Sequence, residues 1–266
     1  MDGAGLWGCS PFRSSNRSGD MAATALTMGS RGEAVRRLQE ALNRKLPGCA
    51  LRVDGDFGNN TRVAVRRYQD EAWLVVDGIA GQCTQNALFD AESYAPIRHQ
   101  RPFIPQPTDN TCWAASTAML KRSTVPAVIA ATPADLIAGG GLSNSSNRAD
   151  WEPATQRFAQ AHGLRYFAPQ SWTPQGFVNL VRNGPVMVST LWNVGGYLKR
   201  VPGGYEGSPG HMTLVVGARG DGDPTGRGTS LMIYDPWEPN VGRRWRVSYY
   251  SWVTEVITRT YRLFQQ

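Results

Sequence analysis

The chain is 266 residues long, 41% hydrophobic and 18% charged, and its 28 basic and 21 acidic residues leave a net charge of +7. That length suits one small and one medium domain, and no apolar run approaches the ~18 residues that a membrane-spanning helix needs. Four cysteines and three histidines lie too scattered for a zinc site, and no other metal or cofactor motif is present.

Residues 1–27 are rich in Gly, Ser and Arg, the composition of a disordered tail. They lack the apolar core of a classical secretion signal, and Met21 and Met28 are alternative starts.

Residues 28–90 carry an internal repeat. Val53-Asp-Gly-Asp-Phe-Gly58-Asn-Asn-Thr61-Arg-Val-Ala64 recurs as Val76-Asp-Gly-Ile-Ala-Gly81-Gln-Cys-Thr84-Gln-Asn-Ala87, at an offset of 23 residues. Each copy offers an Asp-Gly turn, a second glycine for close approach and a Thr placed to cap a helix. Val35, Leu38, Leu42 and Leu46 share one helical face before the first turn, and Val65, Tyr68 and Ala72 keep the period after it. A three-helix module is expected. Cys49 and Cys83 fall in loops that such a module could bring together, which predicts a disulfide between them and a location outside the cytosol; two buried thiols are the competing reading.

This segment resembles the peptidoglycan-binding domain of many bacterial cell-wall enzymes, in Gly32-Glu-Ala-Val35, Leu38-Gln-Glu-Ala-Leu42, both Val-Asp-Gly-x-x-Gly turns and Tyr68-Gln69. The resemblance implies peptidoglycan as a partner, with Asp56, Asn59 and Asn60 as polar candidates for contact beside the first turn.

Pro96 and Pro102 stiffen an expected linker over 91–104. Residues 1–92 hold 11 basic and 11 acidic side chains, and residues 93–266, the rest of the linker and the second domain expected over 105–266, hold 17 against 10, so the positive excess lies in that part of the chain. Such a charge suits an anionic polymer such as peptidoglycan with its stem-peptide carboxylates, and no nucleic-acid recognition motif is present.

The second domain opens with Gln106-Pro-Thr-Asp-Asn-Thr-Cys112-Trp113, in which an amide donor precedes a cysteine by six residues. Cys112 opens a helix expected over Thr111 to Lys121, where unpaired N–H groups and the helix dipole stabilise a thiolate. Gln106 could donate to the oxyanion formed when that sulfur attacks a carbonyl. Of three histidines, His99 sits in a Pro-rich loop and reads as solvated, and His162 ends a helical pattern. His211 is different: it follows the Gly-rich loop 203–210 and opens the apolar run Met212 to Gly217.

A second run, Leu231 to Tyr234, ends at Asp235, and the turn-rich 219–228 between them predicts an antiparallel hairpin. His211 and Asp235 are equidistant from Asp223 at 12 positions each, which would set them side by side, the carboxylate orienting the imidazole. Helices are further expected near 133–138, 152–162 and 173–183, then strands at 185–192, 212–217, 231–234 and within 245–261. Helices first and antiparallel strands after make an α+β fold.

The Gln-x5-Cys-Trp pattern and the order Gln106, Cys112, His211, Asp235 resemble the papain-like cysteine peptidases, although papain itself carries Asn at the last position. The resemblance implies a two-lobed domain and amide hydrolysis through a Cys-His-Asp triad without cofactor. With the wall module, it points to cleavage of peptidoglycan stem or cross-bridge peptides by an antibacterial toxin or lysin. Such a protein would be exported by type VI secretion or phage-type lysis, act in the periplasm or wall of a target bacterium, and have a cognate immunity protein. A proteinase that uses the module only as an address, and a non-enzymatic wall adhesin, are the alternatives.

Overall fold

The computed structural model describes residues 24–89, 95–142, 151–191, 199–201, 204–206, 210–220, 224–257 and 261–266. The expected tail up to residue 23, positions 91–94 of the expected linker and Asp223 lie outside the described residues.

Three helices form the first module: α1 (Glu33–Lys45), α2 (Asn59–Glu71) and α3 (Gln82–Phe89). Val35, Leu38, Leu42, Leu46, Val65 and Tyr68 close one apolar core, as their spacing requires. The repeat is held by two buried glutamines, Gln39 and Gln69, whose clamping role leaves no local pattern in the sequence. Gln39 Nε2 donates to Asp54 Oδ1 at 2.9 Å, the Asp56 carbonyl at 3.0 Å and Thr61 Oγ1 at 3.1 Å, while its Oε1 accepts from Gly55 N at 2.9 Å. Gln69 does the same with Asp77, the Ile79 carbonyl, Thr84 and Gly78 N, at 2.8, 2.9, 3.0 and 2.8 Å. Thr61 and Thr84 are therefore not helix caps. Their helices start two residues earlier, at Asn59 and Gln82, and the hydroxyls turn inward to the glutamines. The Cys49–Cys83 disulfide is also corrected: both residues are thiols, and each packs as a small apolar group against the helical core.

The second domain is built on a mixed-length antiparallel sheet. Its strands are β1 (Ile97–Arg98), β4 (Arg165–Gln170), β5 (Val186–Leu191), β8 (Gly210–Arg219), β9 (Ser230–Asp235), β10 (Arg243–Ser248) and β11 (Tyr261–Gln265), in the order β10-β9-β8-β5-β11-β4, with β1 beside β8. The short β2 (Ile137–Ala138) and β3 (Gly141–Leu142) form one separate pair, and β6 (Lys199–Val201) and β7 (Gly204–Glu206) another. Helices α4 (Cys112–Lys121), α5 (Val125–Ala131) and α6 (Trp151–His162) cover one face of the sheet, α7 (Pro174–Asn183) the other. Burial on both faces explains the unbroken apolar runs: Met187, Leu214 and Val216 face α4, while Val186, Val188 and Val215 face α7. Helices ahead of an antiparallel sheet give the α+β class.

Helix α4 is buried from Cys112 to Leu120 and is mostly made of small residues, which lets it lie close on β8, where Ser116 Oγ donates to the Met212 carbonyl at 2.9 Å. Arg122 ends it in the left-handed conformation at φ 54°. The helix expected at 133–138 is one 3-10 turn, Ala134–Leu136, because Gly139 and Gly140 at φ 56° and 81° turn the chain into the β2–β3 pair. The expected 91–104 linker is not a free spacer: β1 within it pairs with β8, and His99 N donates to the Val216 carbonyl at 2.8 Å. The late segment 245–261 is not continuous strand. Ser248 Oγ accepts from Ser251 N at 3.0 Å, turning the chain into α8 (Tyr249–Ser251) and a π-helical turn (Trp252–Val256) before β11.

The module is docked on the sheet by the chain that leaves α2. Arg246 on β10 binds the Asp70 carboxylate and carbonyl, and Arg219 on β8 donates to the Ala72 carbonyl. Trp73 lies under the Arg98 guanidinium, 4.4 Å from ring centre to carbon, and so close to Gly217 that a β-carbon there would collide with its ring.

Candidate active site

Cys112 is the first residue of α4, and no side chain caps that end, so the first-turn N–H groups are not taken up by a cap. The loop before it is tied down by its own bonds: Thr111 Oγ1 donates to the Thr108 carbonyl at 2.9 Å and accepts from Thr108 N at 3.1 Å. Gln106 is fully buried in this loop. Its main chain joins the segment after Asp235, donating to the Pro236 carbonyl at 3.0 Å and accepting from Asn240 N at 2.8 Å. These bonds draw the loop, the helix start and the end of β9 to one place.

The Gln106 side chain does not stand in the pose expected of an oxyanion donor. Its Nε2 donates to the Thr108 and Asp109 carbonyls at 2.7 and 3.0 Å, and Oε1 is buried without a hydrogen-bond partner. Donation to an oxyanion requires the amide to swing and give up one of these bonds.

His211 and Asp235 come from neighbouring strands β8 and β9, an antiparallel pair as expected, but in a different register. Leu214 lies opposite Tyr234, which sets Asp235 against Thr213 and leaves His211 two positions further along the same face. Beside the connection Arg219 already lies opposite Ser230, three positions off the register that equal counting from Asp223 gives, and a bulge between Val215 and Gly217 recovers only one of the three. The side chains reach diagonally: His211 Nε2 is 2.8 Å from Asp235 Oδ1, with His211 5% and Asp235 0% exposed. Asp235 Oδ1 also accepts from Trp237 N at 3.1 Å, and Oδ2 accepts from Arg243 Nε at 3.1 Å. Neither partner was expected from the sequence: Trp237 N reaches back locally, two residues on, as in an Asx turn, while Arg243 is brought opposite by strand register.

Since Asp235 holds Nε2, the second ring nitrogen of His211 is the one left for Cys112, whose thiol is hydrogen-bonded to the imidazole. Burial, the largest influence on His211, pushes its pKa down. The hydrogen bonds of Asp235 and Cys112 and the negative charge of both groups outweigh it and hold the imidazole at about 9. The site thus favours a protonated histidine between the Cys112 sulfur and a carboxylate.

The other two histidines are structural. His99 is half-buried, not solvated as expected, with Nε2 2.6 Å from the Val181 carbonyl near the end of α7. His162 does end α6, but it is buried with Nε2 2.8 Å from Thr132 Oγ1, and burial, then Lys121, pushes its pKa down, against a charged role at the helix end. In the module, Asn59 and Asn60 are exposed at the start of α2 and Asp56 pairs with Arg31 at 3.3 Å. The structure does not join these three to the Cys112 site. Among the described residues no group of three or more His, Cys, Asp or Glu could hold a metal, and no helix is long and apolar enough to cross a membrane.

A peptidoglycan binding domain model matches residues 31–88, and the model of the papain-like cysteine protease AvrRpt2 matches residues 96–254. A zinc D-Ala-D-Ala carboxypeptidase of Streptomyces albus G is 43% identical over 68 residues, which cover 25% of this chain and 27% of that enzyme. A Burkholderia AP3 phage endolysin structure shares 29% identity over 41% of this chain and 36% of its own, with a TM-score of 0.25. A C39-like peptidase structure from Bacillus anthracis shares 15% identity over 63% of this chain and 98% of its own, with a TM-score of 0.33. The chain thus spans little more than a quarter of the carboxypeptidase and about a third of the endolysin. With the protease model covering more than half of its length, the chain belongs to the papain-like cysteine protease AvrRpt2 family, and its residues 31–88 match a peptidoglycan binding domain.

Proposed function

We propose that the protein is a cell-wall-directed peptidase that cuts amide bonds in peptidoglycan stem or cross-bridge peptides through Cys112, His211 and Asp235. The observation that carries this reading is the buried line from the Cys112 thiol through His211 to Asp235, on a chain that also holds a peptidoglycan-binding module. The thiolate attacks the carbonyl carbon, and the charge moves to the oxygen, where the Cys112 N–H and a rotated Gln106 amide receive it. Collapse breaks the C–N bond as His211 passes its proton to the leaving amine. A water that gives its proton back to His211 then attacks the thioester, and the sulfur leaves as the thiolate with which the cycle began.

The working place in this reading is the periplasm or wall of a target bacterium, as an antibacterial toxin or lysin. A cognate immunity protein in the producer belongs to the same reading. The peptidoglycan binding domain match, with similarity to a zinc D-Ala-D-Ala carboxypeptidase over 68 residues, supports the wall as destination. Membership of a protease family favours a second reading, in which a protein is cut and the module serves only as an address. Purified protein and its Cys112→Ala variant, incubated with peptidoglycan sacculi and followed by mass spectrometry, decide between them. New amine and carboxyl ends in the stem or cross-bridge, absent with Cys112→Ala, are expected. Intact muropeptides together with cleavage of casein would replace the wall reading with the proteinase.

A further inference from the structure

A fully buried carboxylate is costly unless each oxygen is engaged and its charge is balanced. Asp235 meets both conditions with residues from three places. Its Oδ1 serves His211 and Trp237 N, and its Oδ2 accepts from Arg243 Nε at 3.1 Å. Arg243 is placed by the ladder itself, directly opposite Asp235 in the β9–β10 register. Gly242, at φ 58°, makes this approach feasible: a β-carbon there would sit 2.7 Å from the Phe103 ring and 3.0 Å from the Asp235 carbonyl oxygen. Trp245, two residues on, restrains the guanidinium from the other side, 4.7 Å from ring centre to carbon.

We propose that Arg243 is a positioning residue of the peptidase: it pins Asp235 Oδ2 so that Oδ1 faces His211, and its charge completes a balanced row of thiolate, imidazolium, carboxylate and guanidinium. This rests on the Cys112, His211 and Asp235 reading. The charged or titratable groups against His211 are Cys112 from α4 and Asp235 from β9, with Arg243 from β10 behind the carboxylate. Without Arg243 the ionised row carries an uncompensated negative charge, and the carboxylate is released to rotate. The unbalanced charge holds the imidazole proton more tightly, while the lost orientation weakens the pairing with sulfur. Arg243 is 52% exposed, so solvent reduces its influence without removing it.

Alkylation of Cys112 by iodoacetamide tests this without a known substrate. The rate is followed from about pH 5 to pH 10 on the full chain and read at the Cys112 peptide by mass spectrometry. The wild type is expected to show an upper inflection near 9, where His211 loses its proton. Arg243→Gln should move that inflection upward by about half a unit or more and slow the alkylation below it about threefold to tenfold. Arg243→Lys keeps the charge without the guanidinium geometry, so it should slow the reaction while leaving the inflection in place. The melting temperature of each variant is measured alongside, and if Arg243→Gln does not fold, the Lys variant decides. Wild-type alkylation in the folded variants would overturn the proposal, including the case where sacculus digestion alone is lost and Arg243 is a substrate contact. Unchanged alkylation in His211→Ala would instead overturn the underlying reading of His211.

Discussion

At the scale of single residues, the chemistry turns on one imidazole held against its natural tendency. Burial alone would strip His211 of its proton, and only the neighbouring Asp235 and Cys112 hold it near 9. Peptidase activity should therefore fall as pH rises through about 9, a basic limb measurable with any cleaved substrate. The same linkage acts on the fold. Because the folded value lies above the usual 6.5, the stabilisation from His211 is fully present below about 6.5 and lost through about 9, so denaturant midpoints should drop over that window. His211→Ala should flatten the drop. Gln106 tests a different link. With both amide hydrogens held by loop carbonyls in the resting state, Gln106→Ala should lower kcat about a hundredfold while leaving substrate affinity close to wild type. An unchanged kcat would remove Gln106 from the oxyanion site. Cys112, His211 and Asp235, the proposed nucleophile, base and carboxylate, were legible in the sequence as candidates because each stands at an element boundary. Arg243 and the turned-in amide of Gln106 were not, since register and rotamer decide them and neither leaves a local pattern.

At the scale of elements, legibility followed burial pattern. Helices α1, α2, α4, α6 and α7 and the β8–β9 hairpin show strong periodicity or long apolar runs, and all stand where these signals put them within a few residues. The failures have physical causes. Strand β4 lies at the sheet edge with a mostly exposed face, so it lacks the apolar alternation that marks a strand. Helix α5 is a short β-branched stretch, weak in helix propensity, that depends on Thr124 capping Ala127 N at 3.3 Å and on packing against α4. The module's repeat was plain in its turns and silent about its clamps, because Gln39 and Gln69 stand 15 and 8 residues before the aspartates they bind, Asp54 and Asp77. Each clamp satisfies the amide of a buried glycine, Gly55 or Gly78, together with a carbonyl inside the turn. Gln39→Ala and Gln69→Ala should each destabilise the module by roughly 1–3 kcal/mol, visible as an earlier thermal transition. A double variant should melt the module while Cys112 remains reactive towards iodoacetamide.

At the scale of the whole molecule, the module and the sheet meet through Asp70, Ala72 and Trp73 on one side and Arg98, Gly217, Arg219 and Arg246 on the other. Arg246→Glu reverses the charge facing Asp70 and should loosen this seam. Calorimetry is expected to show two separated transitions in place of one, with iodoacetamide labelling of Cys112 unchanged; a single unaltered transition would mean that the seam adds no coupling. A seam of this kind makes the anchor and the blade one instrument. A protein on a floppy tether samples every bond within reach, and its selectivity comes only from the cleft. Under the proposed function, a protein seated through Trp73 would meet bonds at a set distance and angle from its point of attachment, and the lattice itself would become part of the specificity. Small soluble fragments, which cannot span both surfaces, would lose that advantage, and the preference for intact wall over fragments should shrink as the seam is loosened.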